Sequence, residues 1–344
     1  MEKIEFLVGS EKRFAEFISN LNKKDKIALI SHSRDIDGIV SAKVVDSVID
    51  ANLVKFVDYN ELNNDLLTEL KKNKINKTIV TDIGAENSFF SELEKFSEVL
   101  IIDHHTFKED LNTEKIVFLN AQGLCAAYIS YYLFSKIRSL EKLDWLVAIA
   151  SVSDWLYQKN RKWLEEVYIK YGYNFTLENG GIKQESRFSD LAIKISSSIL
   201  YFNNDVKKVF DSLGENFGEI GDLGKYANEV QEEIDKSIEK FWKERKEINE
   251  RLFWIFKPKF PIGSVISGII SLKEQNKTLI IIEERKELYH IHARRQDQKE
   301  NMAVFVKRLV NGLEGASGGG HIPAAGAHFL KKDLEKVMER LKEI

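Results

Sequence analysis

Ile101-Ile102-Asp103-His104-His105 is a short apolar run that ends in one carboxylate and two adjacent imidazoles. An apolar run of this length, bounded by polar residues, reads as a strand buried on both faces of a parallel sheet. Open α/β sheets place ligand chemistry beyond the carboxyl ends of such strands. Alone, Asp-His-His also fits an ordinary solvated turn; recurrence of the pattern turns the reading toward metal. Lys26-Ile27-Ala28-Leu29-Ile30-Ser31 runs into His32, Asp35, Asp37 and Gly38, and Thr78-Ile79-Val80-Thr81 runs into Asp82 and Gly84. The apolar helix Trp145 to Val152 delivers Asp154. Unpartnered carboxylates are seldom buried, because the charge costs several kcal/mol or titrates away. Coordination removes that cost. Carboxylates with a minority of imidazoles suit Mn²⁺ or Mg²⁺, and a lone cysteine, Cys125, cannot build a zinc–thiolate cluster. One carboxylate shared by two ions about 3.5–4 Å apart would make a two-metal hydrolytic site.

Working outward, Phe14, Phe17, Ile18 and Leu21 have helical spacing, Ile39 to Ile49 reads as a helix and Leu53 to Val57 as a strand. Ile116 to Leu119 reads as another strand, ending at Asn120, and Cys125 to Ile137 as a helix. Asn120 is either a strand-terminating turn residue or a substrate contact. Strands alternating with helices predict a parallel, doubly wound sheet. From Leu156 to Phe256 the motifs stop. Val230, Ile234, Ile238, Phe241, Ile248 and Leu252 lie at steps of three, four or seven, one apolar stripe on a long charged helix. Trp242 and Trp254 lie near that stripe and read as core. Lys257-Pro258-Lys259-Phe260-Pro261 holds two of the three prolines and marks a boundary. Beyond it, strands are expected at Ser264 to Ile270, Thr278 to Glu283 and Leu288 to Ala293, then a helix from Met302 to Leu309. The expected architecture is α/β: a doubly wound domain over 1–155, a helical connector over 156–256, and a smaller mixed α/β domain over 257–344.

In that last domain Arg294, Arg295, Gly318, Gly319, Gly320 and His321 carry the chemistry. Consecutive glycines let backbone N–H groups approach an anion, and an arginine fork matches phosphate oxygens. Alternation along a strand turns Arg294 and Arg295 to opposite faces. His290, His292 and His328 read as ordinary strand or surface residues.

Composition bounds these readings without deciding them. The chain has 344 residues, 43% hydrophobic, and a net charge of −3, enough for two cores. Residues 256–344 carry 16 Lys and Arg against 11 Asp and Glu, so the acidity sits with the carboxylate motifs and a mild basic excess at the far end, an arrangement suited to an anionic substrate. One cysteine fits a reducing cytoplasm. Met1 to Ser10 has no long apolar core, and no run approaches the roughly 20 apolar residues of a membrane span.

These motifs, in this order, resemble the four successive motifs of the DHH phosphoesterase superfamily: His32/Asp35/Asp37-Gly38, Asp82, Asp103-His104-His105 and Asp154. Gly318-Gly319-Gly320-His321-Ile322-Pro323-Ala324-Ala325-Gly326 resembles the glycine-rich signature of the family's associated substrate-binding domain. The resemblance, to proteins with an arginine after the preceding strand, also implies Arg294 for substrate and leaves Arg295 to solvent. The resemblance implies two Mn²⁺ ions, or Mg²⁺, one held by His32, Asp35 and Asp82 and the other by Asp37, Asp82, His104 and Asp154. Asp82 would bridge. Asp103 would orient His104, and His105 would bind the scissile phosphate or protonate the leaving oxygen. The spacing of His32 from Asp35 departs from some members, which leaves ligation by His32 open. The long helical segment resembles archaeal RecJ-like proteins, so the expected activity is exonucleolytic hydrolysis of single-stranded DNA or RNA, or of short oligonucleotides, to mononucleotides. The alternatives are a phosphatase of 3′-phosphoadenosine 5′-phosphate, a dinucleotide phosphodiesterase, or, in another class, a replisome-associated RecJ-like scaffold. A replication-protein partner and a homodimer also stay open.

Overall fold

Of five parallel strands, four are apolar runs whose side chains are almost all buried, and the fifth, at a sheet edge, is half-buried. In the computed structural model, which describes residues 2–84, 87–178, 181–182, 186–248 and 251–343, α1 (Glu11–Ser19) precedes β1 (Ile27–His32), α2 (Ile36–Ile49) and β2 (Leu53–Val57). Then come α3 (Asn64–Lys72), β3 (Lys77–Thr81), α4 (Asn87–Leu93), β4 (Glu98–Asp103), β5 (Ile116–Asn120), α5 (Ala126–Phe134) and α6 (Asp144–Ser153). The strands pair in the order β2-β1-β3-β4-β5, all parallel. Successive side chains go to opposite faces. Leu100 and Ile102 of β4 join a cluster with Leu29, Ile79, Leu119 and the apolar sides of α2, α5 and α6, whereas Val99 and Ile101 join Ile30, Val80, Phe118 and the leucines of α3 on the other face. The sheet is therefore doubly wound. Its direction of winding reverses between β1 and β3, and ligands of such sheets bind outside the carboxyl ends at that switch point.

The same unit continues through α7 (Arg161–Lys170), the short strands β6 (Leu177–Glu178) and β7 (Gly181–Ile182), α8 (Arg187–Tyr201) and α9 (Lys207–Ser212). Phe188, Leu191 and Ile195 of α8 and Phe210 of α9 are buried in the first core. The chain parts into two compact units, Met1–Ala227 and Asn228–Ile344, a division inside α10 (Leu223–Glu244). This corrects the boundaries expected after 155 and 256: residues 156–227 pack on the parallel-sheet unit instead of forming a free-standing connector. Residues 179–180, 183–185 and 249–250 of the expected connector, 156–256, lie outside the described residues.

The second unit contains β8 (Lys246–Ile248), β9 (Arg251–Phe256), α11 (Gly263–Lys273), β10 (Thr278–Glu284), β11 (Leu288–Arg294), α12 (Met302–Val310), β12 (Ser317–Gly320), β13 (Ala324–Leu330) and α13 (Leu334–Glu343). Its sheet runs β12-β13-β11-β10-β9-β8, with only β9 and β10 parallel. Phe305, Val306 and Leu309 of α12 and Val337 and Leu341 of α13 cover one face. Two expectations fail here. Ile248 and Leu252 do not extend the α10 stripe: they lie on different strands, β8 and β9, of an antiparallel pair, so their four-residue step crosses a change of strand and carries no helical period. Ser264 to Ile270 is helical, since Ile262, Ile266 and Ile270 recur at four-residue steps and bury one side. The glycine run is an edge strand, with Gly318 opposite Ala327 and Gly320 opposite Ala325. Among the described residues no helix is long and apolar enough to cross a membrane.

Candidate metal centre

The predicted ligands of the first unit gather at the carboxyl edge of the sheet, at its switch point. His32 ends β1, Asp35 caps the N-terminus of α2 through Gly38 N (3.0 Å), and Asp37 lies in the first turn of α2. Gly38 has no room for a side chain: a Cβ there would stand 2.3 Å from the carbonyl oxygen of His32. Asp82 follows β3 with φ of +57°, a left-handed conformation that Asp tolerates better than most residues. His104 and His105 follow β4, and Asp154 is the C-terminal cap of α6.

Three donor groups result, His32/Asp35/Asp82, Asp37/His104/Asp154 and, overlapping both, Asp82/Asp103/His104/His105, each with ligand atoms within 4.8 Å of one another. His32 Nδ1 lies 3.0 Å from Asp35 Oδ2 and 3.9 Å from Asp82 Oδ2. His104 Nε2 lies 3.2 Å from Asp82 Oδ1, 3.5 Å from Asp154 Oδ2 and 3.7 Å from Asp37 Oδ2. The two oxygens of Asp82 thus face different groups.

Asp37 has a further task. Its oxygens accept from the backbone N–H groups of Ala126 and Ala127, both at 2.7 Å, at the start of α5, whose capping residue Cys125 makes no side-chain cap bond. Beneath the centre, Ser31 Oγ lies 2.8 Å from Thr81 Oγ1 and donates to the Gly38 carbonyl at 2.6 Å, tying the ends of β1 and β3 to the start of α2.

Among the described residues no Lys or Arg pairs with Asp35, Asp37, Asp82, Asp103 or Asp154. Burial first, and neighbouring carboxylates second, hold Asp82 well above the usual carboxylate range and push Asp154 up to about 8. Asp37 is raised mainly by burial. Burial, the largest influence, opposes ionisation of Asp35 also, but the hydrogen bond and charge of His32 and the Gly38 N–H together outweigh it and the net direction is down. Burial lowers His104. Carboxylates crowded like this, with Asp82 Oδ2 and Asp154 Oδ2 buried and making no hydrogen bond, lack a positive partner. Divalent cations fit that lack, and the oxygen-rich donor set suits Mn²⁺ or Mg²⁺.

One expected pairing is corrected. Asp103 Oδ1 sits 2.8 Å from Nδ1 of His105, not against His104, because successive residues leave the strand in alternate directions. Burial, the largest influence, disfavours charge on His105, yet the Asp103 hydrogen bond and the charges of Asp103, Asp37 and Asp154 together prevail and its pKa is raised. Asn120 is neither a plain turn residue nor exposed to substrate: it is fully buried and its Nδ2 donates to the carbonyl of His105 at 2.9 Å. Tyr59, unnoticed in the sequence, places its Oη 3.4 Å from His105 Nε2 and its ring 5.2 Å from that of His32. Its position two residues beyond β2, at the same carboxyl edge, was the available signal.

In the second unit, Arg294 donates through Nε to Ser267 Oγ at 3.0 Å and has no carboxylate partner among the described residues. Arg295, expected in solvent, instead donates to Asp297 Oδ1 at 2.7 Å. His292 is also engaged, 3.1 Å from the buried Glu283. Gly318 and Gly320 are demanded by packing: Cβ atoms there would lie 2.9 Å from Ala327 Cβ and 2.6 Å from the Ala324 carbonyl oxygen. A Cβ on Gly319 would meet nothing within 4 Å. His321 is exposed, in the turn between β12 and β13.

Comparison with known proteins agrees with this geometry. No curated protein sequence matches the chain. Among solved structures, exonuclease RecJ bound to manganese superposes with a TM-score of 0.71 at 16% identity, over 99% of this chain and 94% of that one. RecJ of Thermus thermophilus in complex with Mn²⁺ gives 0.69 at 15% identity, over 99% of this chain but only 55% of its own length. CDC45 from Entamoeba histolytica gives 0.66 at 11%, over 97% and 98%. At such identities the likeness is one of fold. Residues 26–152, which span β1 to α6 and hold every predicted ligand except Asp154, which follows directly, match the DHH family, N-terminal domain.

Proposed function

We propose that the chain is a two-metal phosphodiesterase that degrades single-stranded or short oligonucleotides to mononucleotides. The observation carrying this reading is Asp82, whose two oxygens face separate donor groups. His32, Asp35 and Asp82 would hold one Mn²⁺ or Mg²⁺ ion, and Asp37, Asp82, His104 and Asp154 the other. Bound ions supply Lewis-acid charge and lower the pKa of water. The remaining steps belong to the chain's own residues. Asp103 fixes the His105 ring through Nδ1, leaving Nε2 to bind the scissile phosphate or protonate the leaving oxygen. Asn120 holds the His105 backbone, and Tyr59 borders the same ring. Arg294, unpaired with any described carboxylate, is the candidate phosphate ligand of the second unit, and the open space at Gly319 admits a ligand near its backbone.

A length series of 5′- and 3′-labelled DNA and RNA oligomers, incubated with Mn²⁺, tests the reading. Stepwise release of mononucleotides is expected, and excess chelator should stop it. Hydrolysis confined to 3′-phosphoadenosine 5′-phosphate or a dinucleotide would move the protein to another branch of the family. No turnover on any of these would favour a scaffold.

A further inference from the structure

Trp155, directly after the ligand candidate Asp154, is misplaced by two physical measures. It is 67% exposed, while the other four tryptophans are buried or half-buried. Its φ is +58°. The turn around it is a Schellman motif: Leu156 N donates to Ser151 O at 3.0 Å and Trp155 N to Val152 O at 3.1 Å. Trp155 therefore holds the left-handed position that ends helices and that glycine normally fills, because a Cβ is crowded there. Packing does not compensate, since the ring contact it makes among the described residues is with Tyr157, at a centroid distance of 6.5 Å. Strained non-glycine residues that persist beside a site commonly serve it, at some expense of stability. The same turn fixes Asp154, whose Oδ2 lies 3.5 Å from His104 Nε2, so the indole is held one residue from the proposed ion.

We propose that Trp155 is a stacking platform for a nucleobase of the strand whose phosphate is presented to the metal centre, so that the site favours base-bearing phosphodiesters over base-free phosphate chains. This rests on the oligonucleotide reading above. Stacking on an aromatic ring is tolerant of base identity, so the platform would select for the presence of a base and not for a sequence.

The test uses the full chain in chelator, with pentathymidylate and an abasic pentamer of equal phosphate charge, so that their affinity ratio isolates the base. Wild type should bind pentathymidylate about tenfold more tightly than the abasic strand, with quenching of tryptophan fluorescence. Trp155→Ala and Trp155→Gly should lose both the preference and most of the quenching, and Trp155→Phe should keep most of the preference. Trp155→Gly should also raise Tm by about 2–4 °C, because glycine suits the turn, so lost binding in that variant cannot be ascribed to misfolding. Retention of the preference in Trp155→Ala and Trp155→Gly overturns the proposal. A wild type that hydrolyses oligonucleotides but binds both pentamers equally overturns it while leaving the oligonucleotide reading intact; a wild type that neither binds nor hydrolyses them overturns both.

Discussion

Asp82→Asn should reverse its rank against wild type when metal is added. Ligand oxygens of Asp35 and Asp82 lie within 4.8 Å of each other; two full charges at that distance repel by about 3.5 kcal/mol at an effective dielectric constant near 20. Protonation of Asp82, whose pKa is raised chiefly by burial, relieves part of this. A net gain of about 1–2 kcal/mol for the metal-free variant is left, which for a unit of this size raises Tm by about 2–8 °C. With Mn²⁺ at about a hundred times its Kd, wild type should gain about 2.7 kcal/mol, and the variant, deprived of the shared charge, little. Thermal unfolding in chelator and in Mn²⁺, together with elemental analysis of bound metal, reads both orders. A wild type more stable than Asp82→Asn in chelator, combined with equal Mn²⁺ shifts in the two proteins, would refute the electrostatic argument and the shared-carboxylate assignment together.

His104→Ala should lower bound Mn²⁺, whereas His105→Ala should retain metal and lose most turnover; equal metal loss in both would show the roles to be misassigned. In chelator, stability should fall as pH rises from about 4 toward about 8, because the folded chain keeps protons on Asp37, Asp82 and Asp154 that unfolded carboxyls have already released. Urea midpoints at pH 5 and pH 8 check that sign, and a higher midpoint at pH 8 would contradict it. Gly318→Ala should cost about 1–3 kcal/mol through its clash with Ala327. Gly319→Ala should leave Tm unchanged and weaken oligonucleotide binding; unchanged binding would remove Gly319 from the substrate site.

The parallel sheet was legible because β1, β3, β4 and β5 are buried on both faces, which leaves apolar runs, and because β1, β3 and β4 run into His32, Asp82 and Asp103. The donor groups followed from the same ends of strands. Partnership inside the site was not legible. Whether Asp103 serves His104 or His105 depends on which way each side chain leaves β4, and whether Asn120 faces solvent or a carbonyl depends on the loop after His105. The second unit misled where spacing or composition alone decided: Ser264 to Ile270 is rich in β-branched residues yet buries Ile266 and Ile270 at a four-residue step, and Ile248 and Leu252 match a helix by spacing while lying on two different strands. Tyr59 and Trp155 carry no motif, and only three-dimensional neighbours distinguish them from ordinary surface aromatics.

The double duty of Asp37 bears on how an inactive protein should be made. Its carboxylate receives two amide protons at the start of α5 while facing His104. An amide in its place could accept from one of those N–H groups but would turn its own NH₂ toward the other, loosening α5 whatever became of the metal. A dead Asp37 variant would confound folding with chemistry. Asp154, whose buried Oδ2 makes no hydrogen bond and faces His104 alone among the histidines, is the cleaner position at which to silence the centre, and Asp154→Asn is the control that phenotypes of this protein should be measured against.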